Sequence, residues 1–280
     1  MSERLAEVEA RIRGIEQLGT VVNAMRGIAA ARAQSARAEL AAVDAYAAAI
    51  ADAIAEALRM QAVDGGVAAG AGVAIQILFC AEQGFAGAYG EHVLARADPG
   101  AELFLVGTRG MALAGEHGLQ LAWSSALPAH TQGIPMLADR IVEALFARLA
   151  GGEVASVEVV RADVRAGQPV EVRSDRLFPL DPAAFRGAGR RAAPLLNLPP
   201  ATLLPDFTAA YLHARLCEAA LHAFGAENEA RMQTMASAHR QVERELGALR
   251  ASARQVRQDE ITAEIIELAT GEIAAREQQG

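Results

Sequence analysis

The chain has 280 residues, a net charge of −8 and 52% apolar residues, but only 4% aromatic ones. The acidic balance excludes a general nucleic-acid binder, and the length allows one or two domains with ample chain for a core. The apolar share is inflated by alanine, which suits thin, closely packed helices better than a wide globular core.

Residues 3 to about 60 contain no proline and only single glycines (Gly14, Gly19, Gly27). Leu5, Val8, Ile12, Ile15, Val22, Met25 and Ile28 or Ala29 recur at steps of three, four and seven. That spacing predicts a long helix with a stripe for one partner helix. Beyond Ala29 the stripe thins to Ala33, Ala36, Leu40, Val43 and Ala47, small enough for close approach. Ser2 is a candidate N-cap. The helix is expected to stop at Val63-Asp64-Gly65-Gly66, with Gly70 and Gly72 prolonging the break.

From Val73 the periodicity changes. VAIQILF (73–79) reads as a buried strand, followed by the glycine-rich turn GFAGAYG (84–90) and a short helix, EHVLARA. ELFLVGTRG (102–110) predicts a strand and turn, MALAGEHG a short helix, LQLAWSS a third strand, and Ile134–Ala150 an amphipathic helix closed by Gly151-Gly152. VASVEVVRADV and PVEVRSDRLFPL alternate around Ala166-Gly167-Gln168, as a hairpin or edge pair would. Residues 73–195 are therefore an α/β domain, and LNLPPATLLP (196–205) is its exit linker. After Pro205 no proline occurs, and Ala, Glu, Arg, Gln and Leu dominate a second, longer helix over 205–280.

The expected architecture is an N-terminal helix (1–62), a Rossmann-like α/β domain and a C-terminal helix, the two helices pairing as a long antiparallel coiled coil. The second helix is longer by roughly 15–20 residues, so some ~25 Å of it is expected to stand alone at ~1.5 Å per residue. Ile261, Ile265, Ile266 and Leu268 would then be bare, which calls for a receiving partner.

Three stretches resemble the gamma subunit family of F-type rotary ATP synthases. T20-V-V-N-A-M-R-G-I-A-A-A-R32 is similar to that family's first-helix motif, keeping Ala24, Met25, Ala29, Ala30 and a basic residue at Arg32. C80-A-E-Q-G-F-A-G-A-Y-G90 keeps Gly84, Gly87, Ala88 and an aromatic at Tyr89 from the motif after its first strand. A230-R-M-Q-T-M-A-S-A238, R257-Q-D-E-I-T-A-E-I-I-E-L268 and Gly271 resemble its last helix. Thr20 and Asn23 replace the usual lysines, Glu82-Gln83 replaces Asp-Arg, and Gly90 replaces Asn, which marks a divergent bacterial member with a thinner basic collar.

The resemblance implies a non-catalytic central shaft that couples ion flow to ATP synthesis or hydrolysis. Its implied partners are a ring of alpha and beta subunits, an epsilon subunit and a membrane-embedded c-ring. It implies no cofactor and a peripheral place on the cytoplasmic face of a bacterial inner membrane. Ring contacts are expected at Met25, Arg26, Arg32, Arg231, Arg257, Gln258, Thr262 and Glu264, and a structural turn in the foot at Gly84, Gly87 and Tyr89.

Simpler readings compete with the chemical ones. The turn's spacing is G-x-x-G-x-x-G, with no Gly-Lys-Ser/Thr, so tight strand–helix packing outweighs nucleotide binding. The six histidines form no i,i+4 metal pair. Ser124 and Ser125 near His130 lack a nucleophile elbow. Arginines on the helices, including a Glu227–Arg231 pair and Arg240–Arg244 with Glu243, read from the residues alone as solvated charge. Met25, Met232 and Met235 fit a helix seam. Cys80 and Cys217 have no CxxC partner, so neither a disulfide framework nor a thiol switch is expected. The opening residues lack the apolar region of a signal peptide, and no run of about 18 uncharged apolar residues spans a membrane. A soluble, cytoplasmic chain is expected.

Overall fold

The computed structural model describes residues 3–61, 72–149, 151, 154–163, 170–180, 185 and 198–277, with the side chains at 61, 201 and 271–277 left aside. The proposed cap at Ser2, the break over 63–70 and the hairpin turn at 166–168 lie outside them. The elements run α1 (Glu3–Gln61), β1 (Val73–Phe79), α2 (Tyr89–Leu94), β2 (Glu102–Val106), α3 (Thr108–Glu116), β3 (Leu121–Ser125), a 3-10 turn (Thr131–Gly133), α4 (Ile134–Leu149), β4 (Val154–Asp163), β5 (Glu171–Phe178) and α5 (Pro200–Glu277). They form two compact units, Ile28–Met232 and the pair Met1–Gly27 with Gln233–Gly280.

In the larger unit five strands make one sheet in the order β3-β2-β1-β4-β5. The β1, β2, β3 and β4 ladders are parallel, and β5 runs antiparallel to β4. The near-continuous apolar run of β1 has a simple cause: both sheet faces are covered. Ile75, Ile77 and Phe79 point to one face, where α4 supplies Ile134, Leu137, Ile141 and Leu145, and α5 supplies Leu216 and Phe224. Leu78 and Cys80 point to the other, packing with Tyr89 and Val93 of α2, Ala114 of α3, and Ala226 and Ala230 of α5. Gln76, the polar residue in that run, is satisfied: its Nε2 donates to the Arg96 carbonyl (3.1 Å) and Glu158 (3.1 Å), and its Oε1 accepts from the Asp98 N–H (2.9 Å).

α5 begins at Pro200, ahead of the boundary that proline content alone suggests, and carries Pro205 inside it. Pro205 removes the N–H of one helical bond and crowds the carbonyl four residues back. Packing offsets that loss: Leu204, Phe207, Ala210 and Tyr211 lie against a cluster built on Ile50 and Ile54 of α1. The predicted start of α3 also moves back, to Thr108.

In the smaller unit α1 and α5 run antiparallel. Ion pairs cross between them: Glu9–Arg257 (3.0 Å) and Glu16–Arg250 (2.8 Å) step up one helix and down the other, and Arg11–Glu245 (3.2 Å) also crosses. Leu5, Val22, Met235, Val242, Leu246 and Val256 are buried there. Gly19 fits because an added Cβ would meet a Val242 methyl at 3.0 Å. Further along α5, Ile261, Ile265, Ile266 and Leu268 are 52–69% exposed.

Candidate functional site

The turn after β1 stands where the strand order changes direction, with β2 on one side and β4 on the other. In open α/β sheets this is the crevice that receives ligands. Here the chain fills it with its own charges. Glu82 places its carboxylate at the N-terminus of α3, accepting the Thr108 N–H (2.8 Å), the Thr108 hydroxyl (2.8 Å) and the Leu127 N–H (2.8 Å). A carboxylate is favoured there by the unpaired N–H groups and the helix dipole.

A second carboxylate comes from α5. Glu227 accepts the backbone N–H groups of Glu82 (2.9 Å) and Gln83 (3.1 Å). It is also paired with Arg231, one helical turn on. The remaining Arg231 donors go to the carbonyls of Gly84 (3.1 Å) and Gln83 (3.3 Å) and to Asn228 Oδ1 (3.0 Å). The sequence reading of Glu227–Arg231 as solvated charge is therefore corrected: the residues are 2% and 5% exposed. Two carbonyls and two N–H groups of one turn need an acceptor and a donor set in a fixed place, and an i,i+4 Glu-Arg pair on a buried helix face supplies both.

Gly84 and Gly87 lie in this turn, Gly87 at φ 59, and Gly90 lies within α2. Phe85, a non-glycine, adopts φ 63, and its ring is 64% exposed. Tyr89 closes the turn at the bottom. It is fully buried, and its hydroxyl lies 3.3 Å from the carbonyls of both Phe79 and Ala223, so one proton is shared between β1 and α5. Burial, then the Glu227 charge, raises the Tyr89 pKa well above its usual value and keeps the phenol protonated.

The other expected contact residues are spread over both units. Arg32 is half-buried and reaches Gln83 Oε1 (3.4 Å). Arg26 bonds Asn23 (2.9 Å) on its own helix, and Met25 is half-buried. Arg257 pairs with Glu9, while Gln258, Thr262 and Glu264 are exposed. Arg231 is the exception: expected to meet a partner, it is engaged inside the chain. Arg240 and Arg244 bond Ser237 (2.8 Å) and Gln241 (2.6 Å) rather than Glu243. Sequence reasoning missed Glu82 and Glu227 as the turn's anchors; the available signal was the polar run Glu227–Glu229 directly after the apolar ALHAFGA.

Among the described residues no cluster of three His, Cys, Asp or Glu could hold a metal ion, and no helix is long and apolar enough to cross a membrane. Burial, then Glu227, pushes the Cys80 thiol up to about 12, and burial, then Asp139, pushes Cys217 to about 11. Thiolate is the reactive form, so at about pH 8 iodoacetamide is expected to leave both cysteines unlabelled in the folded chain and to modify both after denaturation. Mass spectrometry of the two samples checks this; labelling of the folded chain at either site would contradict the burial argument.

The profile of the ATP synthase family matches residues 4–274. The chain is 27% identical over 295 aligned positions to an ATP synthase gamma chain of Frankia casuarinae, covering 97% of each. It is 25% identical over 188 positions to an ATP synthase gamma chain of Chlorobaculum tepidum, covering 67% of this chain and 64% of that one. Among solved structures, a chain from the rotor of the Euglena gracilis mitochondrial ATP synthase superposes with a TM-score of 0.62 at 12% identity, covering 92% of this chain and 99% of its own length. A second chain, from an assembly of the same synthase that includes the c-ring, gives 0.66 at 11% identity and covers 99% and 96%. At identities this low the superpositions show a shared fold alone.

Proposed function

Because the chain belongs to the ATP synthase family, matched over residues 4–274 and alongside relatives that are gamma chains, we propose that it is the central rotary shaft of an F-type ATP synthase. The match along nearly the whole chain carries this reading. The coil of α1 and α5 turns inside a ring of alpha and beta subunits, which hold the nucleotides. The asymmetric coil touches the three catalytic subunits differently. At each angle it therefore favours a different conformation, and a different nucleotide affinity, in each one. The chain contributes no catalytic group of its own. The α/β unit meets the epsilon subunit and the c-ring, and the protein lies peripherally on the cytoplasmic face of a bacterial inner membrane.

Contacts with the ring fall to Met25, Arg26, Arg32, Arg257, Gln258, Thr262 and Glu264, with Arg231 acting within the chain. The bare apolar residues of α5, Ile261, Ile265, Ile266 and Leu268, are covered when the ring receives them; solvent exposure of such a group is otherwise unfavourable. A rival reading, an α/β nucleotide-binding enzyme with helical extensions, gains nothing from the site, since the donors at the sheet's C-terminal edge already hold Glu82 and Glu227.

The test is affinity purification of the tagged chain from its own cells. It is expected to bring down a ring of nucleotide-binding subunits; purification without such a ring sinks the reading. A truncation ending before Arg257 should keep the α/β unit folded, yet lower the ions moved per ATP hydrolysed. Full coupling in that truncation would leave the coil without the role given to it here.

A further inference from the structure

Glu82 uses every polar group it has. Its N–H goes to Glu227 Oε2 (2.9 Å), its carbonyl accepts the Arg109 N–H (3.3 Å), and its carboxylate takes three donors from Thr108 and Leu127. Thr108 opens α3 directly after β2, and Leu127 follows β3. A single side chain thus gathers the C-terminal ends of three neighbouring strands. Its own backbone is held in turn by Glu227, and the next two carbonyls by Arg231, both on α5. The two carboxylates are linked in series: sheet edge to Glu82, Glu82 to Glu227, Glu227 to the long helix. Charge-assisted hydrogen bonds of this kind are short and roughly twice as strong as neutral ones.

We propose that Glu82 and Glu227 form a two-carboxylate joint that makes the sheet edge and α5 turn as one body, with Glu82 the positioning residue of that joint. The inference rests on the rotor reading for its use, though the joint itself is a property of the free chain. A shaft carries torque only as far as its least stiff connection. Apolar side chains pack between the sheet and α5, and dispersion contacts of that kind are non-directional. The hydrogen bonds at the crevice add direction to that packing. The site is suited to the task because the donors gathered there would otherwise call for an external anion. A carboxylate built into the chain is always present, whatever the ligand concentration.

Removal of the carboxylate leaves those donors to water and creates a gap of matching chemistry. Glu82 is half-buried, so a small carboxylate can reach it from solvent. In the full-length chain, Glu82→Ala is expected to raise hydrogen exchange at the Thr108 and Leu127 amides about tenfold. Formate should slow that exchange in the variant and not in the parent chain. Glu82→Asp should retain most of the protection. If the alanine variant does not fold, Glu82→Gln, equal in size and uncharged, is read in the same way at the same two amides.

In the assembled complex, Glu82→Ala should keep ATP hydrolysis while the ions moved per ATP fall by about half, and formate should restore the ratio. Parent-like exchange in the alanine variant (or in the glutamine variant, where that one is read), faster exchange that ignores formate, or an unchanged transport ratio would each overturn the joint. Failure of the parent chain to assemble with a nucleotide-binding ring would instead strike the rotor reading and leave the exchange result standing.

Discussion

Arg231→Met is expected to lower the stability of the chain by about 3–5 kcal/mol, the usual cost of removing one partner from a buried ion pair. Glu227 is 2% exposed and loses the cation paired with it, while the carbonyls of Gln83 and Gly84 lose their donors. Urea unfolding of the full-length variant measures the loss. Arg231→Lys keeps the charge but not the planar fork that serves a carboxylate, an amide and two carbonyls together, so it should recover only part of it. The double variant Glu227→Gln/Arg231→Met should lose less than the two single changes added together, because the neutral amide no longer needs a cation. A stability for Arg231→Met within about 0.5 kcal/mol of the parent, as for an ordinary surface change, would mean that the pair does not hold the turn.

That pair also shows where reading a sequence reaches its limit. The helices were legible because their signal is local: Leu5, Val22, Ala29, Ala33 and Ala36 repeat at helical spacing, and all are buried. The strands were legible as apolar or alternating runs. The insertion of β1 between β2 and β4 was not, since it depends on pairing between residues far apart in the chain. Glu227–Arg231 looks the same in sequence whether its helix face meets water or a turn, and only the opposing backbone of residues 82–84 decides. The exposed isoleucines near the end of α5 are the reverse case. Their lack of a facing stripe in α1 follows from the unequal lengths of the two helices, so the chain alone gives them away.

Gly110→Ala is expected to destabilise the fold through geometry rather than charge. Gly110 lies in the first turn of α3, where its N–H donates to the Ala81 carbonyl (3.0 Å). An added Cβ would meet the Cys80 Cβ at 2.2 Å, with Cys80 Sγ at 3.2 Å and a Leu105 methyl at 3.3 Å. The nearest of these is fixed to the backbone, so no rotamer change relieves it, and overpacking of this kind costs about 1–3 kcal/mol or more. The neighbouring Gly107 is constrained in another way: it adopts φ +117, and a Cβ there would lie 2.6 Å from the Cys80 carbonyl oxygen. The identity of the clashing atom makes a sharp second-site test at Gly110. Cys80→Gly removes the Cβ and should recover stability in the Gly110→Ala background, although alone it destabilises by opening space at the end of β1. Cys80→Ala removes only the sulfur and should recover little. Equal rescue by both changes would show that the sulfur, not the Cβ, sets how closely α3 can approach β1.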